Sequence, residues 1–369
     1  MREILAELAV KIQKVAAPTF QEAERARFVL EMFRQSGLSQ LDIDSAGNVF
    51  ACFPGAGADS PLVVSAHLDT VFPAETDLAI RREPGRIYGP GIGDNAAGVA
   101  GLFGLVKMLQ ERNIRLPGDL WLVANTCEEG LGDLRGMKAV CERFGPSPRL
   151  YLVLEGMALG HIYYRGIGVR RYKITCHTRG GHSWSDYGQP SAIHELARLV
   201  TALGGLSLPA SPRTTLNVGR IAGGTSVNTL AAEAWLELDL RSEGEDELRK
   251  LIQQVESLVE GSNRSDVWFE AEIIGQRPAG ELGRKHPLVG LAQDCLAAQG
   301  IEATLTQGST DANIPLSLGY PAIVLGLTRG GGAYTLDEYI ETEPLEHGAE
   351  QLFNFVRKVW DVTDKRENT

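Results

Sequence analysis

Short apolar runs alternate with stretches of helical spacing along the first part of the chain. The runs of strand length cover residues 61–67, 119–126 and 149–156, and polar residues, proline or glycine bound them. Apolar residues recur three and four positions apart elsewhere, which predicts helices at 2–16, 20–36 and 95–112. This strand–helix–strand order predicts an α/β fold with a mostly parallel central sheet flanked by helices.

The pattern changes after Arg165. Residues 169–178 and 231–242 alternate apolar and polar side chains with a period of two, as half-exposed antiparallel strands do. Helical patterns accompany them at 190–203 and 244–260. The α/β pattern resumes at about His286, with a helix at 286–299, a strand at 320–327 and a helix at 343–361. We therefore expect one domain, formed by residues 1–164 and 281–369, that is interrupted by a smaller α+β domain at 165–280.

Composition narrows the classes of partner. The chain has 369 residues, 47 acidic and 36 basic, and a net charge of −11. Since it has no basic stripe, nucleic acid is not an expected partner. No membrane is expected either, because no stretch of 18 apolar residues stands out and the N-terminus lacks the apolar centre of a signal peptide. Five cysteines at irregular spacings do not form a disulfide framework, which favours a reduced, cytoplasmic setting.

Residues that can bind a cation stand where the predicted strands end. His67 closes the first strand and Asp69 follows two positions later, so both side chains can face one point. A carboxylate often fixes the tautomer of a zinc-binding histidine, although an isolated His-x-Asp is more often a local hydrogen bond. The turn YGPGIGDNAAG (88–98) holds Asp94 ahead of a helix, as a helix cap or a metal ligand. It lacks the last glycine of a dinucleotide-binding fingerprint.

Two adjacent glutamates, Glu128 and Glu129, follow the second strand in NTCEEG. A solvated loop would explain them, and so would a pair in which one carboxylate binds a cation while the other moves a proton. Glu155 ends the third strand, where a buried charge needs a partner. Ligands of open α/β sheets gather at the carboxyl ends of strands, so His67, Asp94, Glu129 and Glu155 are candidate ligands for zinc, with cobalt or manganese as substitutes.

Five motifs occur in order along the chain: SAHLDTV, GIGDNAAGVAG, TCEEG, LEG and GSTDAN. Together they resemble the zinc exopeptidase and deacylase family that includes peptidase T, aminoacylase, acetylornithine deacetylase and glutamate carboxypeptidase. The resemblance implies a catalytic α/β domain that carries two zinc ions. It also implies that the inserted domain is a lid, which often pairs in a homodimer.

The resemblance assigns roles to these residues by position. His67 and Glu155 would hold one zinc ion, Glu129 the other, and Asp94 both. Asp69 would orient His67. Glu128 would be the general base, which answers why two glutamates stand side by side.

The inserted domain supplies three further candidates. His182 lies in a glycine-rich turn, TRGGHSWSDYGQ (178–189), and the resemblance implies that it stabilises the tetrahedral oxyanion, commonly in the other subunit of a dimer. Without the resemblance, a structural turn histidine is the simpler explanation. Asn228 resembles the lid asparagine that contacts substrate. Arg241 could bind a substrate carboxylate or form a structural ion pair.

One position departs from the family pattern. The family has a histidine in the stretch that corresponds to GGGAYTLDEY (330–339), where it completes the second zinc site, and this chain has Tyr334. The residues that follow keep the register of the motif. Tyr334 is therefore the candidate ligand at the second site, and the second zinc ion is in doubt.

The sequence predicts a metal-dependent hydrolase that cleaves an amide bond of small peptides, as a peptidase T-like exopeptidase. An N-acyl amino acid deacylase is the alternative among enzymes. A non-catalytic binding homologue with an impaired second metal site is the alternative outside them. The expected partners are the peptide or N-acyl amino acid and a second copy of the chain.

Overall fold

A computed structural model describes residues 1–362, which divide into two compact units. The first unit comprises Met1–Gly166 together with the chain from Gly280 onward. The second unit is Ile167–Ala279. The chain thus leaves the first unit once and returns to it once.

The first segment, up to Gly166, contains both helices and strands. Its helices are α1 (Arg2–Gln13), α2 (Ala23–Gln35), α3 (Gly98–Glu111) and α4 (Arg135–Phe144), and a π-helical turn at Ile92–Ala97 precedes α3. Its strands are β1 (Ser39–Ile43), β2 (Val49–Phe53), β3 (Leu62–His67), β4 (Arg81–Glu83), β5 (Arg86–Tyr88), β6 (Leu120–Asn125), β7 (Leu150–Glu155) and β8 (His161–Gly166).

The second unit is an antiparallel sheet with two helices. Its strands are β9 (Gly168–Thr178), β10 (Gly181–His182), β11 (Thr214–Gly223), β12 (Thr229–Leu230), β13 (Glu233–Ser242) and β14 (Val267–Arg277), and its helices are α5 (Ala192–Gly204) and α6 (Glu245–Gly261). The sheet has the order β11-β13-β9-β14, and β10 pairs with β12. Alternate residues of β9 and β13 pack on the two helices, which explains their period of two.

The last segment completes the first unit. It contains β15 (Gly280–Glu281), α7 (Pro287–Ala297), β16 (Thr304–Gly308), α8 (Asn313–Ser317), β17 (Ala322–Gly326), β18 (Gly330–Gly331), β19 (Tyr339–Glu341) and α9 (Leu345–Lys358). β18, β19, β5 and β4 form a small antiparallel sheet, in which Tyr339 pairs with Tyr88. This pairing brings the loop that contains Tyr334 beside the turn that leads to Asp94.

The large sheet has the order β1-β2-β6-β3-β7-β17-β8-β15. Its central strands β6, β3, β7 and β17 run parallel. The pairs β1–β2, β2–β6, β17–β8 and β8–β15 are antiparallel, and β16 pairs in parallel with β8. One face packs against α1, α3, α7 and α9 and the other against α4 and α8, so every residue of β3 is buried. The expected α/β fold with a mostly parallel centre is confirmed.

The helix at the centre of this packing, α3, is long and rich in apolar residues. Residues Ile92–Glu111, 20 in all, have the length and composition of a membrane span, but 89% of the apolar window is buried inside the protein. A Cβ atom on Gly101 would lie 2.5 Å from Leu327 Cδ1, and one on Gly104 would lie 2.6 Å from Leu5 Cδ2. The small residues of α3 therefore allow the close packing of a core helix.

Candidate metal centre

The candidate ligands of the first unit gather at one edge of the large sheet. His67 is the last residue of β3 and Glu155 the last residue of β7, while Glu128 and Glu129 follow β6. Because β3 pairs in parallel with both β6 and β7, these ends lie side by side. Asp94 lies in the π-helical turn before α3. The sheet topology thus brings together residues that are far apart in the sequence.

The geometry of the first ligand group suits one cation. His67 Nε2 lies 3.0 Å from Asp94 Oδ1 and 3.9 Å from Glu155 Oε2. One ligand atom from each of these three residues lies within 4.8 Å of the other two. An imidazole nitrogen with two carboxylate oxygens is a donor set that zinc accepts.

A second group consists of His67, Glu128 and Glu129, whose ligand atoms also lie within 4.8 Å of one another. Glu129 Oε1 is buried and has no hydrogen-bond partner. A buried, unsatisfied carboxylate oxygen is costly unless a cation or a donor meets it. The residues at this edge therefore fit a bound metal ion.

The charges of the cluster are mutually unfavourable without a cation. Burial, together with the charges of Asp94 and Glu128, raises the pKa of Glu129 to about 9. Burial also raises the pKa of Glu155 well above its ordinary value, although His67 acts in the opposite direction. Such carboxylates cost free energy when they are charged and buried together. A divalent cation would remove this cost.

Asp69 holds the pair of glutamates rather than the imidazole alone. Its two side-chain oxygens accept the amide N–H groups of Glu128 and Glu129, each at 2.9 Å. His67 Nδ1 lies 3.0 Å from the main-chain oxygen of Asp69 and 3.6 Å from its Oδ1. Burial opposes the charge of Asp69, but these contacts outweigh it and hold the pKa of Asp69 below its ordinary value. Asp69 therefore ties the loop after β3 to the loop after β6.

Glu338 contributes to the site although sequence analysis did not single it out. It is fully buried, and its Oε1 accepts the amide N–H groups of Gly93 at 2.7 Å and Asp94 at 2.8 Å. Burial raises the pKa of Glu338 to about 7, and these amides act in the opposite direction. Glu338 thus fixes the turn that presents Asp94. The sequence offered one signal for this role, because Glu338 lies in the same motif as Tyr334, four residues after it.

Asp311 is a second buried carboxylate that the sequence did not assign. Asn125, which pairs with His67 across β3 and β6, donates from Nδ2 to Asp311 Oδ2 at 2.7 Å. Burial and the charge of Glu128 raise the pKa of Asp311 to about 7. Asp311 belongs to GSTDAN, a motif that carried the resemblance without a role for this residue.

Tyr334, the candidate ligand of the second site, lies beside Glu129. Its hydroxyl donates to Glu129 Oε2 at 3.2 Å. Tyr334 is 57% exposed as a whole, but partial burial of its hydroxyl end, with the charges of Asp94 and Glu129, raises the pKa of Tyr334 above its ordinary value. The phenol is therefore neutral and acts as a hydrogen-bond donor to Glu129, whereas a neutral imidazole would offer a lone pair to a metal ion.

We expect Tyr334→His to raise the affinity of the second metal site by about 10- to 100-fold, because an imidazole nitrogen is a better ligand than a neutral phenol. Calorimetric titration of the metal-free protein with zinc should show two separated binding steps in the natural chain. The steps should approach each other in the variant. Tyr334→Phe is the control, since it removes the hydroxyl without adding a ligand. Two equally tight sites in the natural chain would contradict this prediction.

A cavity of about 300 Å³ opens onto the cluster. Its wall combines the candidate ligands with uncharged residues: His67, Gly93, Asp94, Glu128, Glu155, Gly156, Met157, Ala158, Tyr163, Gly308, Ser309, Thr310 and Tyr334. Among these described residues none is a lysine or an arginine. A substrate that enters this cavity meets acidic groups, hydroxyls and apolar surface.

The other three candidates belong to the second unit. His182 is exposed, and its Nδ1 accepts the amide N–H of Trp184 at 3.2 Å, so the neutral ring carries its proton on Nε2. The amide N–H of Ser183 donates to the main-chain oxygen of Asn228 at 2.9 Å, which places the two candidate segments side by side.

Arg241, the third candidate, forms an ion pair with Asp239 at 2.7 Å. This geometry favours a structural role for Arg241.

Comparisons with known proteins agree with this architecture. The profile of Peptidase family M20/M25/M40 matches residues 63–358. A succinyl-diaminopimelate desuccinylase from Corynebacterium glutamicum is 24% identical over 352 residues, which is 92% of each chain.

Two solved structures show the same fold. A tripeptidase from Staphylococcus aureus superposes with a TM-score of 0.84 at 20% identity, over 98% of this chain and 99% of the other. Aminopeptidase PepT from Bacillus cereus superposes with a TM-score of 0.80 at 22% identity and the same coverage. The family profile spans most of the sequence and includes the residues of the cluster. The chain therefore belongs to peptidase family M20/M25/M40 and is a metal-dependent hydrolase.

Proposed function

We propose that the protein is an exopeptidase that cleaves the terminal amide bond of small peptides with the help of zinc. The observation that carries this proposal is the cluster of His67, Asp94 and Glu155 beside Glu128, at the wall of a cavity of about 300 Å³. A cavity of this volume accepts a short peptide end rather than a folded chain. The names of the tripeptidase and the aminopeptidase that share the fold support a peptide substrate.

Zinc is the metal that this donor set favours, with cobalt or manganese as substitutes. His67, Asp94 and Glu155 would hold one ion, and Asp94 and Glu129 would face a second. When bound, zinc supplies a Lewis acid that polarises the scissile carbonyl and makes water a better nucleophile at neutral pH.

Glu128 is the proposed proton acceptor. It is buried next to Glu129, and Asp69 fixes the main chain of both residues. A carboxylate in this position accepts a proton from the attacking water and then donates it to the leaving amine. We assign the ligand role to Glu129 and the role of proton acceptor to Glu128. Glu129 faces the second site, where it contacts Tyr334.

The charge of the cavity favours recognition of a free amino end. Asp94, Glu128 and Glu155 line it, Glu129 lies next to them, and the described lining contains no lysine or arginine. When only the first ion is bound, because Tyr334 makes the second site weak, the four carboxylates carry more negative charge than that one divalent ion balances. The remaining negative charge would attract a substrate ammonium group and repel a carboxylate. The proposed activity is therefore that of an aminopeptidase.

Hydrolysis of three related peptides tests this proposal. We expect kcat/KM for Ala-Ala-Ala to exceed that for N-acetyl-Ala-Ala-Ala by about 10-fold or more, since a lost charge contact of about 1.4 kcal/mol corresponds to a factor of ten. The C-terminal amide of Ala-Ala-Ala is the control and should react nearly as well as the free acid. A preference for acetylated substrates would favour the deacylase instead, and failure to cleave any amide would favour a non-catalytic binding homologue.

The setting and assembly of the protein are also proposals. All five cysteines are buried and free, which is consistent with a reducing, cytoplasmic environment.

Strand β11 lies at the edge of its four-stranded sheet and is exposed over most of its length. An exposed edge strand can pair with the same strand of a second copy. We therefore propose a homodimer through the second unit.

A further inference from the structure

The N-terminal segment, which precedes the part of the chain matched by the family profile, contacts two loops of the metal centre. Thr19 Oγ1 donates to Asp69 Oδ2 at 2.9 Å. Arg25 Nη1 donates to the main-chain oxygen of Leu68 at 2.6 Å. Glu22 Oε1 accepts the amide N–H of Cys127 at 3.1 Å. Three side chains near the start of α2 thus reach the loop after β3 and the loop after β6.

Glu22 binds the main chain at two unfavourable backbone positions. Its Oε1 also accepts the amide N–H of Phe20 at 3.0 Å. Phe20 has a φ of 74° and Cys127 a φ of 57°, and side chains other than glycine rarely adopt this left-handed region. Residues stay in such conformations only when their surroundings hold them there, and they cluster at functional sites. The carboxylate of Glu22 is a contact that holds both.

Three consecutive amides are held at the end of β6. The amide of Cys127 donates to Glu22, and those of Glu128 and Glu129 donate to the two oxygens of Asp69. The direction of these amides sets the path of the chain, and the path sets where the side chains of Glu128 and Glu129 point. Glu22 therefore acts on the residue directly before the proposed general base.

Arg25 places a buried guanidinium near Asp69 and Glu22. Its side chain is buried, and Nε donates to the main-chain oxygen of Val15 at 2.7 Å. Burial lowers the pKa of Arg25 to about 10, while the charges of Asp69 and Glu22 act in the opposite direction. The guanidinium is thus charged at neutral pH. A buried carboxylate close to such a cation is tolerated.

We propose that Glu22 is a positioning residue for the Glu128–Glu129 turn, which it holds by accepting the amide of Cys127. This inference rests on the proposed function of Glu128 as the general base. Glu22 does not line the cavity, and it acts on the reaction through the amide and the thiol of Cys127, which both donate to its Oε1. Its acceptor oxygen matters more than its charge, because a single oxygen accepts both amides.

Two substitutions test the proposal. Glu22→Ala removes the acceptor, and we expect the amides of residues 127–129 to exchange with deuterium about 10- to 100-fold faster, because a buried amide left without an acceptor carries a penalty of this size. Glu22→Gln keeps an oxygen at the same place and should restore most of the protection. Exchange in β3 and β7 should be unchanged in both variants. Glu24→Ala, an exposed neighbour in the first turn of α2, is the matched control.

Turnover gives a second measure on the zinc-loaded protein. We expect Glu22→Ala to lower kcat by about 10- to 100-fold through misplacement of Glu128, with KM and zinc content close to those of the natural chain. Glu22→Gln should recover most of kcat. If the natural chain cleaves no amide, the proposed function fails, but hydrogen exchange still decides the role of Glu22.

Other results would overturn the inference. Unchanged exchange at residues 127–129 in Glu22→Ala would show that Glu22 does not hold the turn. A Glu22→Ala chain that unfolds, or that loses zinc in proportion to kcat, would assign Glu22 to general stability. Equal losses in Glu22→Ala and Glu22→Gln would show that the charge matters and the acceptor does not.

Discussion

Glu128→Gln should lower kcat by about 10²–10⁴-fold, the usual contribution of general base catalysis. Glutamine has nearly the same size and can accept hydrogen bonds, but it cannot take a proton from water. Since the main-chain amide of Glu128 makes the contact with Asp69, the substitution should leave the turn intact. Zinc content by atomic emission and kcat on Ala-Ala-Ala are the two measurements.

The neighbouring glutamate supplies the contrast for this experiment. Glu129→Gln should lose metal and activity together, because Glu129 is a proposed ligand with a buried and unsatisfied oxygen. Glu142→Gln changes an exposed glutamate on α4 and should leave both quantities unchanged. If Glu128→Gln retained full activity with normal zinc content, Glu128 would not be the base.

His182→Ala should lower kcat by about 10²–10³-fold, the usual cost of removing one oxyanion donor. The physical reason lies in the tautomer of the ring. The amide of Trp184 donates to Nδ1, which leaves the proton on Nε2, where it can be donated to a developing negative charge. His182 is exposed, so the substitution should not change the midpoint of thermal unfolding. His194→Ala, at an exposed histidine on α5, is the control.

Mixing inactive variants tests whether His182 acts in the other subunit of the proposed dimer. His182→Ala and Glu128→Gln chains each lack one group, and a mixed dimer would contain one site with both. Recovery of activity on mixing would support action across the dimer. No recovery, together with a low kcat for His182→Ala alone, would place the histidine in the same chain as Glu128. If His182→Ala leaves kcat unchanged, His182 has a structural role only.

The periodicity of the sequence was sufficient to predict three central strands of the large sheet, but not longer elements such as β11, β14 and α4. The strands expected at 61–67, 119–126 and 149–156 are β3, β6 and β7, and each lies within one residue of its predicted bounds at both ends. These strands are buried on both faces, so an unbroken apolar run marks them clearly. Short strands of the small sheet, such as β4 and β5, were not predicted, because a three-residue strand has no period to detect.

The candidate ligands were also visible in the sequence, for a reason of topology. Parallel strands place their carboxyl ends at one edge of a sheet, so polar residues that end consecutive apolar runs must lie near one another. His67 and Glu155 follow from this rule directly. The contact of Tyr334 with Glu129 does not, because 205 residues separate the two and only the folded chain sets the distance.

The sequence by itself determined the α/β fold, the candidate metal-binding residues and the family of this protein, because these depend on local periodicity and on short motifs. Tertiary structure alone decided which residues support the ligands. Glu338 binds the turn of Asp94 across 244 residues, and Glu22 binds Cys127 across 105. Each of these side chains recognises main-chain N–H groups, which every residue except proline carries, so no residue type marks the partner. Only the close approach of distant loops in the folded protein creates such contacts.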